Sequence, residues 1–200
     1  LDLAEQPLAN NYHNGSGGGD LFQLGLNLCK DCYHTQLPVS VNPKMMFDHY
    51  LYVTGTSKTL RDYCDWFANY VSQRESSKGH ILDIACNDGT QLDSFKKLGW
   101  STYGVDPAEN LYKIAEDKGH IVINDYWPIK SYPQMDVITA QNVCAHTPQP
   151  LEFLKGVKDA LSPNGTAYIQ TSQSQMYQRN EFDTTYHEHI SFFSANSMKT

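Results

Sequence analysis

The stretch His80-Ile81-Leu82-Asp83-Ile84-Ala85-Cys86-Asn87-Asp88-Gly89 reads as a short apolar strand running into a tight turn of small and acidic residues. Behind it, Leu92, Phe95 and Leu98 fall at helical spacing, and Gly99 closes that helix. The alternation then repeats. Ser101–Val105 is a second strand, Ala108–Lys118 a helix closed by Gly119, Ile121–Ile123 a third strand and Met135–Ala140 a fourth. Leu151, Leu154, Val157 and Leu161 space a helix that stops at Pro163-Asn164-Gly165, and Thr166–Thr171 supplies a fifth strand. Strands alternating with helices specify a parallel sheet covered on both faces, and right-handed crossovers make it an open, doubly wound α/β fold.

Working outward, Leu60, Tyr63, Cys64, Phe67, Tyr70 and Val71 share one stripe of a helix that starts near Lys58, with Thr56 or Ser57 as its N-cap. Polar Ser72–Gly79 is the joint before the sheet. Residues 1–57 are irregular, with a strand at Phe22–Leu28 leading into Cys29, and a Gly-rich run at His13–Asp20 that reads as a loop because no helix follows it. The expected organisation is therefore 1–57, 58–79 and 80–200, without internal repeats. The chain starts at Leu1 rather than Met, and a fragment is expected.

Composition narrows the function. A net charge of −7 with only 15 scattered Lys and Arg argues against a nucleic-acid groove. No run approaches the ~20 apolar residues of a membrane span, and no charged-then-apolar leader opens the chain, which points to a cytoplasmic location. The hydrophobic fraction of 40% is enough for a packed core. Five unevenly spaced cysteines read as reduced thiols, and the sequons at Asn14 and Asn164 as turn residues.

Ligands of such sheets sit beyond the carboxyl ends of the strands, at the switch point beside the first. There the loop offers Asp83, Ala85, Asn87, Asp88 and Gly89, and the second strand ends in Asp106-Pro107. A carboxylate at Asp106 can accept both ribose hydroxyls of an adenosine. A pyrophosphate needs glycines at a helix N-terminus, whereas carboxylates suit a sulfonium and an ammonium, so S-adenosylmethionine (SAM) is favoured over NAD. The competing reading is an ordinary Asp-Gly turn before a helix. Asp125 and Tyr126 follow the third strand, where the adenine amino group would lie, and Asn142 to His146 follow the fourth, beneath the expected methyl.

Six segments, in order, resemble the sugar C-methyltransferases. They are Gln6–Asn10, Cys29-x-x-Cys32, Tyr50-x-Tyr52-x-Thr54-Gly55-Thr56-Ser57, Asn87-Asp88-Gly89, Asn142-Val143-x-Ala145-His146 and Phe182-Asp183-Thr184-Thr185-Tyr186-His187-Glu188-His189. The last is the most specific. The resemblance implies a small N-terminal zinc-binding domain, a class I Rossmann-like core, SAM as cofactor, and a nucleotide-linked keto-deoxysugar, usually dTDP-linked, as substrate. It implies His189 as general base, with Tyr186, Glu188, His146 and a tyrosine of the Tyr50/Tyr52 pair lining the sugar pocket. Cys29 and Cys32 would be two zinc ligands; the family's upstream cysteine pair is absent, so zinc is expected at partial occupancy or not at all, with His13 or His34 as substitutes. The chain departs from the family at Ala85, where glycine is usual, and it lacks the family's last two strands and C-terminal domain.

The chemistry suits these residues. Methylation beside a ketone requires loss of a C–H proton, which a histidine near its ordinary pKa of ~6.5 can accept, and a donor to steady the enolate oxygen. If Tyr186–His189 is extended, Tyr186 and Glu188 face one way and His187 and His189 the other, with His187 structural. Hydrogen-bonded anchoring of a loop would account for the same residues. O- or N-methylation of a small metabolite, and a SAM-binding module without catalysis, stay open.

Overall fold

The computed structural model describes residues 1–10, 19–182 and 184–199. His13, the Asn14 sequon, most of the Gly-rich run and Asp183 lie outside the described residues. In chain order the strands are β1 (Asp2–Pro7), β2 (Leu21–Gly25), β3 (Asn27–Leu28), β4 (Thr35–Gln36), β5 (His80–Ile84), β6 (Ser101–Val105), β7 (Ile121–Ile123), β8 (Met135–Gln141), β9 (Leu161–Gln170) and β10 (Ser191–Phe192). The α-helices are α1 (Lys44–Phe47), α2 (Lys58–Ser72), α3 (Thr90–Lys97), α4 (Glu109–Asp117) and α5 (Pro150–Ala160). Contacts divide the chain into two units. One comprises 1–46, 142–150 and 170–200; the other comprises 47–141 and 151–169.

The second unit carries the five-stranded sheet, in the order β7-β6-β5-β8-β9. β5 pairs in parallel with β6 from His80↔Ser101 to Ile84↔Val105, and with β8 from Ile81↔Val137 to Ile84↔Ala140. β6 pairs in parallel with β7 from Tyr103↔Ile121 to Val105↔Ile123. The central strand is buried from Ile81 to Ile84, as a strand covered on both faces must be. Because β5 lies between β6 and β8, the strand order reverses beside it, and at the carboxyl ends of such strands topology predicts a ligand crevice.

Helix α2 starts where Ser57 accepts the Leu60 N–H through its hydroxyl. Its inner stripe sets Ala68 and Val71 against Ile81, Phe95, Trp100 and Val137, with Phe67, Tyr70, Leu98 and Tyr168 around them. The Phe95 ring meets both Phe67 and Trp100 edge-on, each at 88° between planes, the arrangement that aromatic quadrupoles favour. The Trp100 indole N–H, otherwise stranded in this core, donates to Ser72 Oγ at 2.8 Å.

The last strand begins five residues earlier than Thr166 and runs through Pro163-Asn164-Gly165. β9 is an edge strand, and an edge has one side without ladder bonds, so a proline is tolerated there.

In the first unit, β1 and β2 form an antiparallel pair, while β10, β4 and β3 form a separate antiparallel sheet. The expected strand Phe22–Leu28 is thus two strands that serve different sheets. The break follows Gly25, where an added Cβ would sit 2.7 Å from the Leu1 carbonyl oxygen. Leu24, Leu37, Val41, Ile190, Phe192 and Phe193 are buried. Among the described residues no helix is long and apolar enough to cross a membrane.

Phe95→Ala should lower unfolding stability by about 3–5 kcal/mol, because a fully buried ring that touches two others leaves a cavity. A urea titration with an unchanged slope and a lower midpoint is the expected readout.

Candidate cofactor crevice and histidine cluster

The loop after β5 is built from backbone conformations that most residues avoid. Ala85, Asn87 and Gly89 have φ of 60°, 53° and 77°. Ala85 in this region costs about 1 kcal/mol relative to glycine. The turn holds because its N–H groups are all engaged. Ala85 and Cys86 donate to the Val105 carbonyl at 2.8 and 3.2 Å, and Gly89 donates to that of Cys86 at 2.9 Å. Gly89 is required by space as well, since a Cβ there would lie 2.9 Å from Ala115 Cβ and 3.0 Å from His120 Cδ2.

Asp83 is the penultimate residue of β5 and Asp106 follows β6, and both are only 5% exposed. Thr139 Oγ1 donates to Asp83 Oδ1 at 2.7 Å. Burial pushes the Asp83 carboxyl up to about 7; the Thr139 bond opposes the rise and the charge of Asp106 adds to it. Asp106 accepts the Asn87 N–H on Oδ2 at 2.8 Å and the Ala108 N–H on Oδ1 at 2.9 Å. Burial raises its pKa against those two bonds. A carboxylate has about four acceptor positions, so two remain for a ligand's hydroxyls. Among the described residues no lysine, arginine or histidine pairs with either carboxylate. Such a set of acceptors fits a ligand that brings hydroxyls and its own positive charge, as SAM does.

Asp88 is arranged differently. Its Oδ1 accepts the Thr90 N–H at 3.2 Å, and its Oδ2 accepts the Thr90 hydroxyl at 3.0 Å and the Gly55 N–H at 3.2 Å. Its carboxylate thus organises the first turn of α3.

Residues 48–55 form a strap around this crevice, within the sheet-bearing unit. Asn87 is its clasp. The Asn87 side-chain carbonyl accepts the N–H groups of Thr54 and Asp88, each at 2.9 Å, and its amide donates to the Tyr52 carbonyl at 2.9 Å. Asn110, in the first turn of α4, exchanges two hydrogen bonds with the Tyr50 backbone at 3.0 and 2.8 Å. Asp48 accepts the Glu109 N–H on its carbonyl at 3.0 Å and the Tyr126 hydroxyl on Oδ1 at 2.6 Å. The Tyr126 pKa is raised, by burial first and Asp48 second. Asp125 is exposed and caps the Tyr126 N–H at 2.7 Å, and Pro107 is partly buried. Tyr52 is engaged here through its backbone, and the residue is 50% exposed. Sequence reading missed Asp48 and Asn110; lone polar residues outside any motif gave no signal for them.

The histidine cluster belongs to the other unit. Tyr186–His189 is a turn and not an extended segment, because the His189 N–H donates to the Tyr186 carbonyl at 3.1 Å. The expectation of opposite faces is therefore corrected: residues three apart meet across a turn, and the Tyr186 and His189 rings lie 4.5 Å apart. His189 Nδ1 is 2.9 Å from the Thr184 carbonyl oxygen, which can only accept, so Nδ1 carries the proton and Nε2 is the basic nitrogen. That Nε2 is 3.4 Å from the Tyr186 hydroxyl. Burial lowers the His189 pKa, with the Thr184 bond opposing. His146, 5.0 Å from His189 between ring centres, is pushed down to about 3 by burial and then by His189. Tyr186 is raised to about 12 by burial and then by the charge of Glu188. Glu188 Oε1 accepts the Asn10 amide at 2.8 Å. His187 is buried, donates to the Phe22 carbonyl at 3.1 Å and meets the Phe22 ring edge-on. Asn142, with φ of 55°, donates its N–H to the Gln170 carbonyl at 2.9 Å.

Cys29 is exposed and Cys32 partly so. Hydrogen bonds from the Cys32 and Asp31 backbone pull the Cys29 thiol below its ordinary pKa. Two thiols are half of a tetrahedral zinc set, and the His34 ring packs on Phe193, 4.9 Å between centres. Among the described residues no group of three or more His, Cys, Asp or Glu can hold a metal ion. They do not fit the expected zinc site.

Residues 56–200 match a family described as a methyltransferase domain. The C-methyltransferase NovU of Streptomyces niveus is 28% identical over 213 residues, covering 100% of this chain and 51% of that protein. A ubiquinone biosynthesis O-methyltransferase of Coxiella burnetii is 27% identical over 111 residues, 51% of this chain and 47% of that one. The chain spans about half the length of these curated relatives. The solved plantazolicin methyltransferase BpumL, in complex with S-adenosylhomocysteine (SAH), superposes with a TM-score of 0.56 at 18% identity, over 70% of this chain and 60% of that one, and shares the fold.

Burial of Asp83 sets a pH dependence. Between its ordinary value of 3.8 and about 7, the folded chain holds a proton that the unfolded chain has lost. This group's contribution to stability therefore falls as pH rises through that window. Denaturation midpoints measured across it should show a downward trend in the unliganded chain that Asp83→Asn flattens.

Proposed function

The chain belongs to the methyltransferase-domain family, and from that premise we propose that it is a SAM-dependent enzyme that methylates carbon beside the ketone of a nucleotide-linked keto-deoxysugar. The single observation behind the cofactor assignment is the pair of buried carboxylates, Asp83 and Asp106, at neighbouring strand tips without a cation from the described chain. Asp83 holds the ammonium of the donor and Asp106 its ribose hydroxyls, with Asp125 on the adenine side. When bound, SAM supplies an electrophilic methyl group.

The remaining residues prepare the carbon that receives it. His189 Nε2 takes the proton from the carbon beside the ketone, and the electron pair stays on the substrate as an enolate. The Tyr186 hydroxyl donates a hydrogen bond to the oxygen where charge develops. Glu188 and His146, in the same unit as His189, shape the sugar pocket. Three things support carbon over oxygen: the fixed tautomer of His189, the phenol beside its basic nitrogen, and the 28% identity to a protein named a C-methyltransferase. O-methylation is the second reading, favoured by the 27% identical O-methyltransferase.

Incubating a dTDP-linked keto-deoxysugar in deuterium oxide should wash deuterium into the carbon beside the ketone. His189→Asn should slow that exchange by about 10²–10⁴-fold. Methyl transfer by His189→Asn at the unaltered rate, or a product methylated on oxygen, would remove the enolate mechanism.

A further inference from the structure

The corner between α4 and β7 reaches the cofactor loop with two side chains that have no part in the chemistry above. Lys118 Nζ donates to the Asp88 carbonyl at 2.6 Å and lies 3.6 Å from Asp88 Oδ2 and 3.1 Å from Asp93 Oδ2. His120, whose side chain is 0% exposed, stands 2.8 Å from Thr102 Oγ1 through Nδ1 and 3.0 Å from Asp93 Oδ1 through Nε2. A carboxylate only accepts, so Nε2 carries the proton and Nδ1 takes the Thr102 hydroxyl. The His120 ring is also the wall beside Gly89. Lys96, from the last turn of α3, closes the corner by donating to the carbonyls of Lys118 and Gly119 at 2.8 and 3.1 Å. Asp93 is thus shared, and one chain of contacts runs Asp88–Lys118–Asp93–His120–Thr102 from the loop to the inside of the sheet.

A loop with Ala85 and Asn87 at positive φ persists only where its surroundings over-determine it. Three aspartates close together also repel one another. We propose that Lys118 and His120 are positioning residues for the methyl-donor loop. Lys118 pins the Asp88 carbonyl and neutralises its carboxylate, which reserves the negative charge of the loop for Asp83 and Asp106. His120 fixes Lys118's second anchor and braces Gly89. This inference rests on the cofactor assignment made above.

Calorimetric titration of the chain with SAM and with SAH tests it, with thermal melts to show that each variant is folded at the titration temperature. Lys118→Met should weaken both ligands by about tenfold, as expected for loss of one charge-assisted bond, and Lys118→Arg should recover most of the loss. A merely structural lysine would lower the melting temperature and leave both affinities of the folded protein unchanged. Affinities within about twofold of the unaltered chain would overturn the proposal. A loss confined to SAM would overturn it too, since SAH lacks the sulfonium and a misplaced loop must weaken both. If Lys118→Met does not fold, Asp93→Asn removes the shared anchor, and unchanged binding of both ligands in that variant overturns the proposal equally. Should the unaltered chain bind neither ligand, the cofactor assignment fails, and this inference fails with it.

Discussion

Two carboxylates are buried side by side at the ends of β5 and β6, and water has been largely removed from both. Burying ionised oxygen is costly, and here the cost is only partly offset by Thr139 and two backbone N–H groups. The loop exists to hold those carboxylates in place. Its left-handed residues turn the backbone N–H of Asn87 onto Asp106, and the strap locks onto the same Asn87 from outside. Folding this end of the sheet therefore stores an electrostatic demand of the kind that the proposed positively charged adenosyl ligand would meet.

The division of labour among the acidic residues follows from their partners. Asp88 sits next to Asn87 in sequence and shares its loop, yet its oxygens serve Thr90, Gly55 and Lys118. Asp83 and Asp106 keep acceptor capacity to spare. The histidine cluster shows the same logic without charge. A backbone carbonyl, that of Thr184, decides which nitrogen of His189 is basic, so the state of the ring is set by main-chain geometry.

Much of the sheet was legible because its signals are local. His80–Ile84 and Ile121–Ile123 were read to the residue, since apolar runs closed by small or acidic turn residues leave little freedom in their limits. The positions of Asp83 and Asp106 at neighbouring strand ends were legible because topology defines the strand tips at a switch point. Asp48 and Asn110 were not, since each acts across tens of residues through a single polar side chain and leaves no period in the sequence. Whether Tyr186–His189 is extended or turned was open in the sequence because four polar residues in a row fit a strand as readily as a turn, and one i→i+3 hydrogen bond decides between them. The CxxC pair shows the limit of motif reading, because its spacing suggests half of a metal site, while among the described residues no group of three or more His, Cys, Asp or Glu can hold an ion.

Asn87 carries a consequence for chemical ageing. Its amide nitrogen is the donor to the Tyr52 carbonyl, while its oxygen accepts from Thr54 and Asp88. Where deamidation yields aspartate, it exchanges that nitrogen for oxygen at nearly the same side-chain shape. It would set an acceptor against the Tyr52 carbonyl and place a further negative charge beside Asp88 and Asp106, so one slow hydrolysis unfastens the strap and disturbs the crevice together.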